Sequence, residues 1–233
     1  MISIEAKNIT KYYGKLKVLD DVCLFVDEGE SFGLVGESGS GKTTLARIML
    51  NLIKASSGQM IYGVEFSRKN YQIVFQNPYT SLNPRIKVGD ALREPLQIHG
   101  ITRDIKEILS EVELNENYAD KYPHELSGGE RQRLCSARAI SVKPKFIVLD
   151  EPVSSLDMTV QLEILKLLKK LKAQLGFTFL LIAHDLSVVK FMCDRIAVMN
   201  SGRIIETGKL DEIYNNPKDP YTKLLLESVA RLP

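Results

Sequence analysis

The sequence predicts an α/β fold with a mostly parallel core sheet, an antiparallel β layer at the N-terminus and a helical insertion. Three observations carry that expectation. Short apolar runs at residues 31–35, 146–149 and 177–183 have the length and composition of fully buried strands. Amphipathic helical stretches alternate with them, which is the pattern of a parallel sheet. From Gln76 to about Val142 the strand signals disappear and only helical periodicity remains.

Taken in order, residues 2–9 and 18–26 read as two strands about the polar turn Tyr12-Tyr13-Gly14-Lys15. Residues 31–35 form a short strand leading into a glycine-rich loop. Residues 42–52 have helical spacing, with Leu45, Ile48, Met49 and Leu52 on one face. Strands over 59–66 and 71–75 flank the turn Ser67-Arg68-Lys69-Asn70. Within the insertion, helices are expected over 88–96, 103–112 and 129–140. Alternation then resumes with a strand at 146–149, a helix at 160–175, a strand at 177–183 and a helix at 186–193. Residues 195–199 and 203–206 make a hairpin turned at Asn200-Ser201-Gly202. A helical tail over 210–232 breaks at Asn216-Pro217. The expected organisation is a single domain over 1–233, with a helical subdomain at about 77–142 inserted in the core.

Composition excludes several function classes. With 44% apolar residues the chain can build a substantial core, and disorder is not expected. Thirty-one basic against 29 acidic residues leave a formal charge of +2, without the concentrated basic excess of a nucleic-acid binder. Cys23, Cys135 and Cys193 are scattered and lack metal-ligand spacing, which reads as small hydrophobes in a reducing compartment. No apolar run approaches the ~20 residues of a membrane span. The start of the chain has no apolar core of a secretion signal.

Chemistry concentrates in two glycine motifs and an acidic pair. Gly36-Glu37-Ser38-Gly39-Ser40-Gly41-Lys42-Thr43 follows an expected strand and opens an expected helix. Its glycines let backbone N–H groups turn toward phosphate oxygens, and the helix adds its positive end. Lys42 suits the β- and γ-phosphates of a nucleotide, and the Thr43 hydroxyl suits Mg2+. Asp150-Glu151 ends a buried strand, delivering two carboxylates to the sheet edge where ligands bind. Asp150 is placed for Mg2+ through water, and Glu151 for taking a proton from an attacking water. His184 and Gln76 also end expected strands. The imidazole could contact a γ-phosphate or serve structure only; the amide could touch Mg2+ or its water. Ser127-Gly128-Gly129 opens a helix and reads either as an anion site or as a plain N-cap with glycines.

These residues, in this order, resemble the ATP-binding subunit of ABC transporters, a P-loop nucleotide hydrolase fold, over essentially the whole chain. The Walker A loop is similar over 36–43, with Thr44 following it. Gln76 matches the Q-loop and Leu126-Ser127-Gly128-Gly129-Glu130 the signature. Asp150-Glu151 matches the Walker B end, Ser154-Ser155-Leu156-Asp157 the D-loop and His184 the H-loop. Tyr13 sits where the family places an aromatic against adenine, with Tyr12 as substitute. The resemblance implies an ATPase using ATP and Mg2+, paired head to tail with a second ATP-binding subunit, identical or different. Ser127, Gly128, Gly129, Glu130 and Asp157 would then face the partner's nucleotide. It further implies two permease subunits gripped by the helical insertion, an indirect extracytoplasmic binding protein, and a peripheral place on the cytoplasmic membrane face.

Narrower matches point to importers of oligopeptides, dipeptides or nickel chelates. They are Gln76-Asn77-Pro78-Tyr79-Thr80-Ser81-Leu82-Asn83-Pro84-Arg85, Arg93-Glu94-Pro95-Leu96 and the tail Asn216-Pro217-Lys218-Asp219-Pro220-Tyr221-Thr222. Glu130 replaces the usual Gln, Asp219 replaces the usual His, and the longer, sometimes cysteine-bearing extension of many relatives is not expected here. The alternative is a non-transport ABC ATPase in a soluble assembly such as a carbon–phosphorus lyase.

Overall fold

The structure is a computed structural model that describes residues 1–230; the expected tail helix extends to residue 232, and residues 231 and 232 lie outside the described residues. The chain opens with β1 (Ile2–Tyr13), β2 (Leu16–Asp27), β3 (Ser31–Val35), α1 (Lys42–Met49) and β4 (Ser57–Tyr62). Next come β5 (Tyr71–Val74), α2 (Pro78–Ser81), α3 (Val88–Ile98), α4 (Ile105–Glu111) and α5 (Gly128–Ile140). It continues with β6 (Phe146–Asp150), α6 (Met158–Leu175), β7 (Thr178–Ala183) and α7 (Leu186–Met192). Strands β8 (Arg195–Asn200) and β9 (Arg203–Lys209) precede α8 (Leu210–Asn215) and α9 (Pro220–Ala230). Two compact units divide it: Met1–Phe66 with the segment from Thr178 onward, and Ser67–Phe177.

In the first unit, β1 pairs antiparallel with β2 on one side and β4 on the other. Alternation buries Ile4, Ala6 and Ile9 from β1 against Leu19, Val22, Leu24 and Val26 from β2. The hairpin is longer than expected because a two-residue turn with Gly14 at φ 59 carries pairing to Tyr13 and Leu16. Strands β7, β3 and β8 are parallel neighbours, and β9 closes antiparallel on β8. Every residue of β3 and β7 is buried, as their unbroken apolar runs require.

Two expected boundaries move for local reasons. Helix α1 stops at Met49 instead of residue 52. Asn51 takes a left-handed φ of 51, Asn51 N–H donates to Ile48 O at 2.8 Å, and Leu52 N–H to Arg47 O at 2.8 Å. Those paired bonds close the last turn as a Schellman end, with asparagine in the left-handed position. Strand β4 stops at Tyr62 instead of residue 66. The chain turns at Gly63, and Phe66 folds back on the Tyr62 ring with centroids 4.9 Å apart.

The second unit holds the parallel pair β5–β6, with Tyr71↔Phe146 and Val74↔Leu149 in register. Residues 77–142 lie in this unit and carry helices and two 3-10 turns, Glu116–Asp120 and Pro123–Glu125, with no strand. Val88, Leu92, Leu96, Ile108, Leu109 and Leu134 supply its helical core. Asp104 caps α4 by accepting the Lys106 N–H, so Arg103 stays outside the helix and pairs with Glu111 at 2.5 Å. Asp157 caps α6, which starts two residues earlier than expected. Among the described residues no helix is long and apolar enough to cross a membrane.

Candidate functional site

In the first unit the candidate residues gather at the carboxyl edge of the parallel strands. The β3–β7 ladder ends with Val35 opposite Ala183, so the next residues, Gly36 and His184, emerge side by side. The loop then runs through Glu37, Ser38 and Gly39, which are exposed, to Ser40, which is buried. Gly36 has φ 147, and a Cβ there would lie 2.0 Å from the Met199 carbonyl oxygen. Only glycine lets the loop start so close to β8. Gly41 has φ 107 and sits ahead of α1 without a side-chain cap, and no acidic residue follows in the first turn. A helix start of that kind accepts an anion on its own N–H groups.

The Lys42 ammonium is folded back into this loop and is 6% exposed. It donates to Gly36 O at 2.7 Å and Glu37 O at 2.8 Å, and lies 3.4 Å from Ser40 Oγ. The carbonyl acceptors satisfy this buried cation within the loop, and an ammonium so placed can also take an anionic oxygen as a charge-assisted acceptor. Thr43 and Thr44 occupy the following helical positions, both half-buried. Tyr13 ends β1, 48% exposed, with Lys11 Nζ 5.1 Å from its ring centroid; Tyr12 is 43% exposed with Lys17 Nζ at 5.7 Å. Each ring is open enough to stack on a base.

In the second unit Asp150, 6% exposed, ends β6, and Glu151 follows at a left-handed φ of 47. A non-glycine residue there costs of order 1 kcal/mol or more, and such strain clusters at functional sites. Glu151 Oε2 accepts from Gln76 Nε2 at 2.9 Å. The β5–β6 register explains the pairing: Val74 opposes Leu149, so Gln76 and Glu151 are equivalent positions past the strand ends. The Gln76 amide therefore orients the carboxylate.

Ser127 caps α5. Its hydroxyl accepts from Glu130 N–H at 3.3 Å, while Glu130 Oε2 accepts the Ser127 N–H at 2.7 Å, a reciprocal capping box. Glu130 Oε1 also accepts from the Tyr118 hydroxyl. The Tyr118 bond first, then the Ser127 N–H, holds the Glu130 carboxyl below its ordinary value, and the same contact raises the Tyr118 phenol. The glutamate thus has a structural reason to stand where Gln is usual: two donors and a positive helix end meet one carboxylate. The structure shows the N-cap reading of Ser127, and that cap uses one oxygen lone pair. Gly128 and Gly129 lie under the D-loop side of α6; a Cβ on Gly129 would meet Val160 Cγ1 at 2.7 Å. Asp157 spends its Oδ1 on the Val160 N–H at 3.0 Å, so its first role is to cap α6.

Whether these residues suit Mg2+ follows from the donor set. Among the described residues no group of three or more His, Cys, Asp or Glu side chains could cage a metal. Thr43 offers one hydroxyl and Asp150 one buried carboxylate. Mg2+ keeps waters and substrate phosphates in its shell, so the hydroxyl in the first unit and the carboxylate in the second are each, taken singly, of a kind it accepts.

Three contacts were not anticipated from sequence. Tyr221 Oη accepts the Glu37 N–H at 3.0 Å. The Arg131 guanidinium stacks over the Tyr79 ring at 4.0 Å, while donating to Pro123 O at 2.6 Å and His124 O at 3.3 Å. Tyr118 bonds Glu130 as above. The tail motif at Pro220-Tyr221-Thr222 was the one available signal, and it did not name a target.

A family described as ABC transporter matches residues 19–154. The oligopeptide transport ATP-binding protein OppF of Bacillus subtilis is 42% identical over 97% of this chain and 82% of its own length. The dipeptide transport ATP-binding protein DppF of Lactococcus lactis is 42% identical over 97% of this chain and 80% of its own. Among solved structures, a dimeric, post-hydrolysis ATP-binding cassette bound to ADP and Pi is 31% identical, with a TM-score of 0.76 over 89% of this chain and 98% of that one. The cbiO1 protein of Clostridium perfringens, part of the ABC transporter complex cbiONQ, superposes with a TM-score of 0.80 at 26% identity, over 100% of this chain and 96% of that one. With its glycine loop, capped signature helix and strained acidic strand end in the expected order, the chain belongs to the ABC transporter family, as an ATP-binding subunit with ATPase activity.

Proposed function

We propose that the chain energises a peptide importer, binding Mg2+–ATP and hydrolysing it in concert with a second ATP-binding subunit. The observation that carries the reading is the phosphate loop, with its left-handed glycines and buried Lys42 on a capless helix start. Lys42 and the loop N–H groups of residues 36–44 hold the β- and γ-phosphates. Mg2+, held by Thr43 and Asp150, with Gln76 near its water, would neutralise charge on the phosphate oxygens. Glu151, oriented by Gln76, accepts a proton as a water oxygen attacks the γ-phosphorus and the bond to the β–γ bridging oxygen breaks. That oxygen leaves with its electron pair on ADP, and His184 donates a hydrogen bond to a γ-phosphate oxygen. Tyr13 stacks on adenine. Ser127, Gly128 and Gly129 face the γ-phosphate bound by the second subunit, so ATP joins the pair head to tail and hydrolysis releases it.

The peptide substrate rests on the relatives, which are peptide and dipeptide transport proteins at 42% identity. Two permease subunits are the expected membrane partners, placing the chain peripherally on the cytoplasmic face. Nothing in the comparisons favours the soluble-assembly alternative. The test is uptake of a labelled peptide into proteoliposomes holding the chain with its permeases. ATP-driven uptake that Lys42→Ala abolishes is expected; uptake indifferent to that substitution would refute the proposal.

A further inference from the structure

The tail motif Pro220-Tyr221-Thr222 has no part in the mechanism above, yet it reaches the phosphate loop. Tyr221 Oη accepts the Glu37 N–H at 3.0 Å, across 184 residues of sequence. The Glu37 peptide is held from both ends. Its carbonyl oxygen accepts from Lys42 Nζ at 2.8 Å and from Ser40 N–H at 3.2 Å.

The tyrosine is itself anchored. Asp219 Oδ1 accepts the Tyr221 N–H at 2.7 Å, capping the start of α9, and Thr222 beside it is buried. Ahead of that cap, the two oxygens of Glu206 accept Lys218 N–H at 2.9 Å and Asp219 N–H at 3.1 Å. Glu206 lies opposite Val198 on β8, and Val198 opposite Val35, the last residue before the loop. One row of the sheet thus holds both the root of the phosphate loop and the clamp that fixes α9. Helix α9 also packs on α7, which begins two residues after His184.

We propose that Tyr221 is a positioning residue for the phosphate loop: its hydroxyl fixes the Glu37 peptide, which holds Lys42, and so sets the affinity for ATP. The inference rests on the reading of residues 36–44 as the ATP phosphate site. It makes the tail segment part of the nucleotide site.

Tyr221→Phe removes the hydroxyl and keeps the ring. Loss of one neutral hydrogen bond corresponds to roughly a fivefold change in an equilibrium constant. Titration of the whole chain with a fluorescent ATP analogue, alongside steady-state ATPase assays, should show Kd and KM for ATP raised about fivefold, with kcat within twofold. The melting temperature without nucleotide should stay close to that of the wild type. Unchanged Kd and KM would overturn the proposal, as would a lowered melting temperature with unchanged affinity, the mark of a packing role alone. Lys42→Ala, run beside it, separates the two readings. If Lys42→Ala loses ATP binding while Tyr221→Phe keeps it, only the tyrosine proposal fails; if Lys42→Ala binds ATP normally, the phosphate-site reading fails.

Discussion

Gly129→Ala sets two local effects against each other at the signature helix. In the second turn-position of α5, alanine should gain helix propensity, about 0.5–1 kcal/mol over glycine. Its Cβ, however, would lie 2.7 Å from Val160 Cγ1, roughly 0.8 Å inside the ~3.5 Å at which carbon atoms meet. Val160 is β-branched and sits in the first turn of α6, so its rotamer has little freedom to give way. Overpacking of this kind costs typically 1–3 kcal/mol. The balance is a net loss of about 1 kcal/mol, or a fall of roughly 3 °C in melting temperature for a chain of this size. Thermal unfolding without nucleotide reads the effect free of any phosphate contact. Val160→Ala in the Gly129→Ala background should recover most of the loss, since it removes the clashing methyl. A Gly129→Ala protein that melts at or above the wild-type temperature would refute the steric reasoning and leave phosphate approach as the whole reason for glycine.

Other perturbations probe the catalytic and capping groups. Glu151→Gln should leave ATP affinity within about threefold and lower kcat by 100-fold or more, the usual contribution of a positioned base; single-turnover assays on radiolabelled ATP check it, and near-normal turnover would remove the base from Glu151. With Mg2+–ATP present, the same variant should run as a dimer in solution if the chain pairs with itself. Glu130→Gln should matter only above acid pH. The Glu130 carboxyl is held below its ordinary 4.5, so its ionised form stabilises the fold above that value and the benefit is lost as pH falls through the lower folded value. The stability gap between wild type and Glu130→Gln should therefore be widest near neutrality and close on acidification, as denaturant titrations at several pH values would show. Cys135, whose thiol burial pushes up to about 12, should resist alkylation in the native protein at pH 8 while the exposed Cys23 reacts.

Much of this architecture is written locally. The fully apolar runs of β3 and β7 are legible as buried strands because a parallel strand covered on both faces has no polar side to show. Helix α5 announces itself through Ser127, whose side chain satisfies an N–H group that the helix cannot, whereas the cap that Asp157 supplies to α6 became visible only in the structure. Element ends are less legible. Asn51 stops α1 by adopting a left-handed conformation that asparagine tolerates but does not require, and Gly63 ends β4 where residues 64–66 still look like strand.

The candidate site divides along the same line. By itself the sequence picked out the candidate residues and their places along the chain: the glycine loop with Lys42 and Thr43, Asp150-Glu151, His184, Gln76 and the signature serine, each at or just past the end of a strand or at the start of a helix. Only tertiary structure decided which of them touch. Gln76 meets Glu151 across 75 residues, Tyr221 meets Glu37 across 184, and Tyr118 takes the second oxygen of Glu130. Periodicity and capping are properties of neighbours along the chain, whereas those contacts depend on strand register and helix packing between distant segments. No local pattern records them, because each is fixed by the fold as a whole.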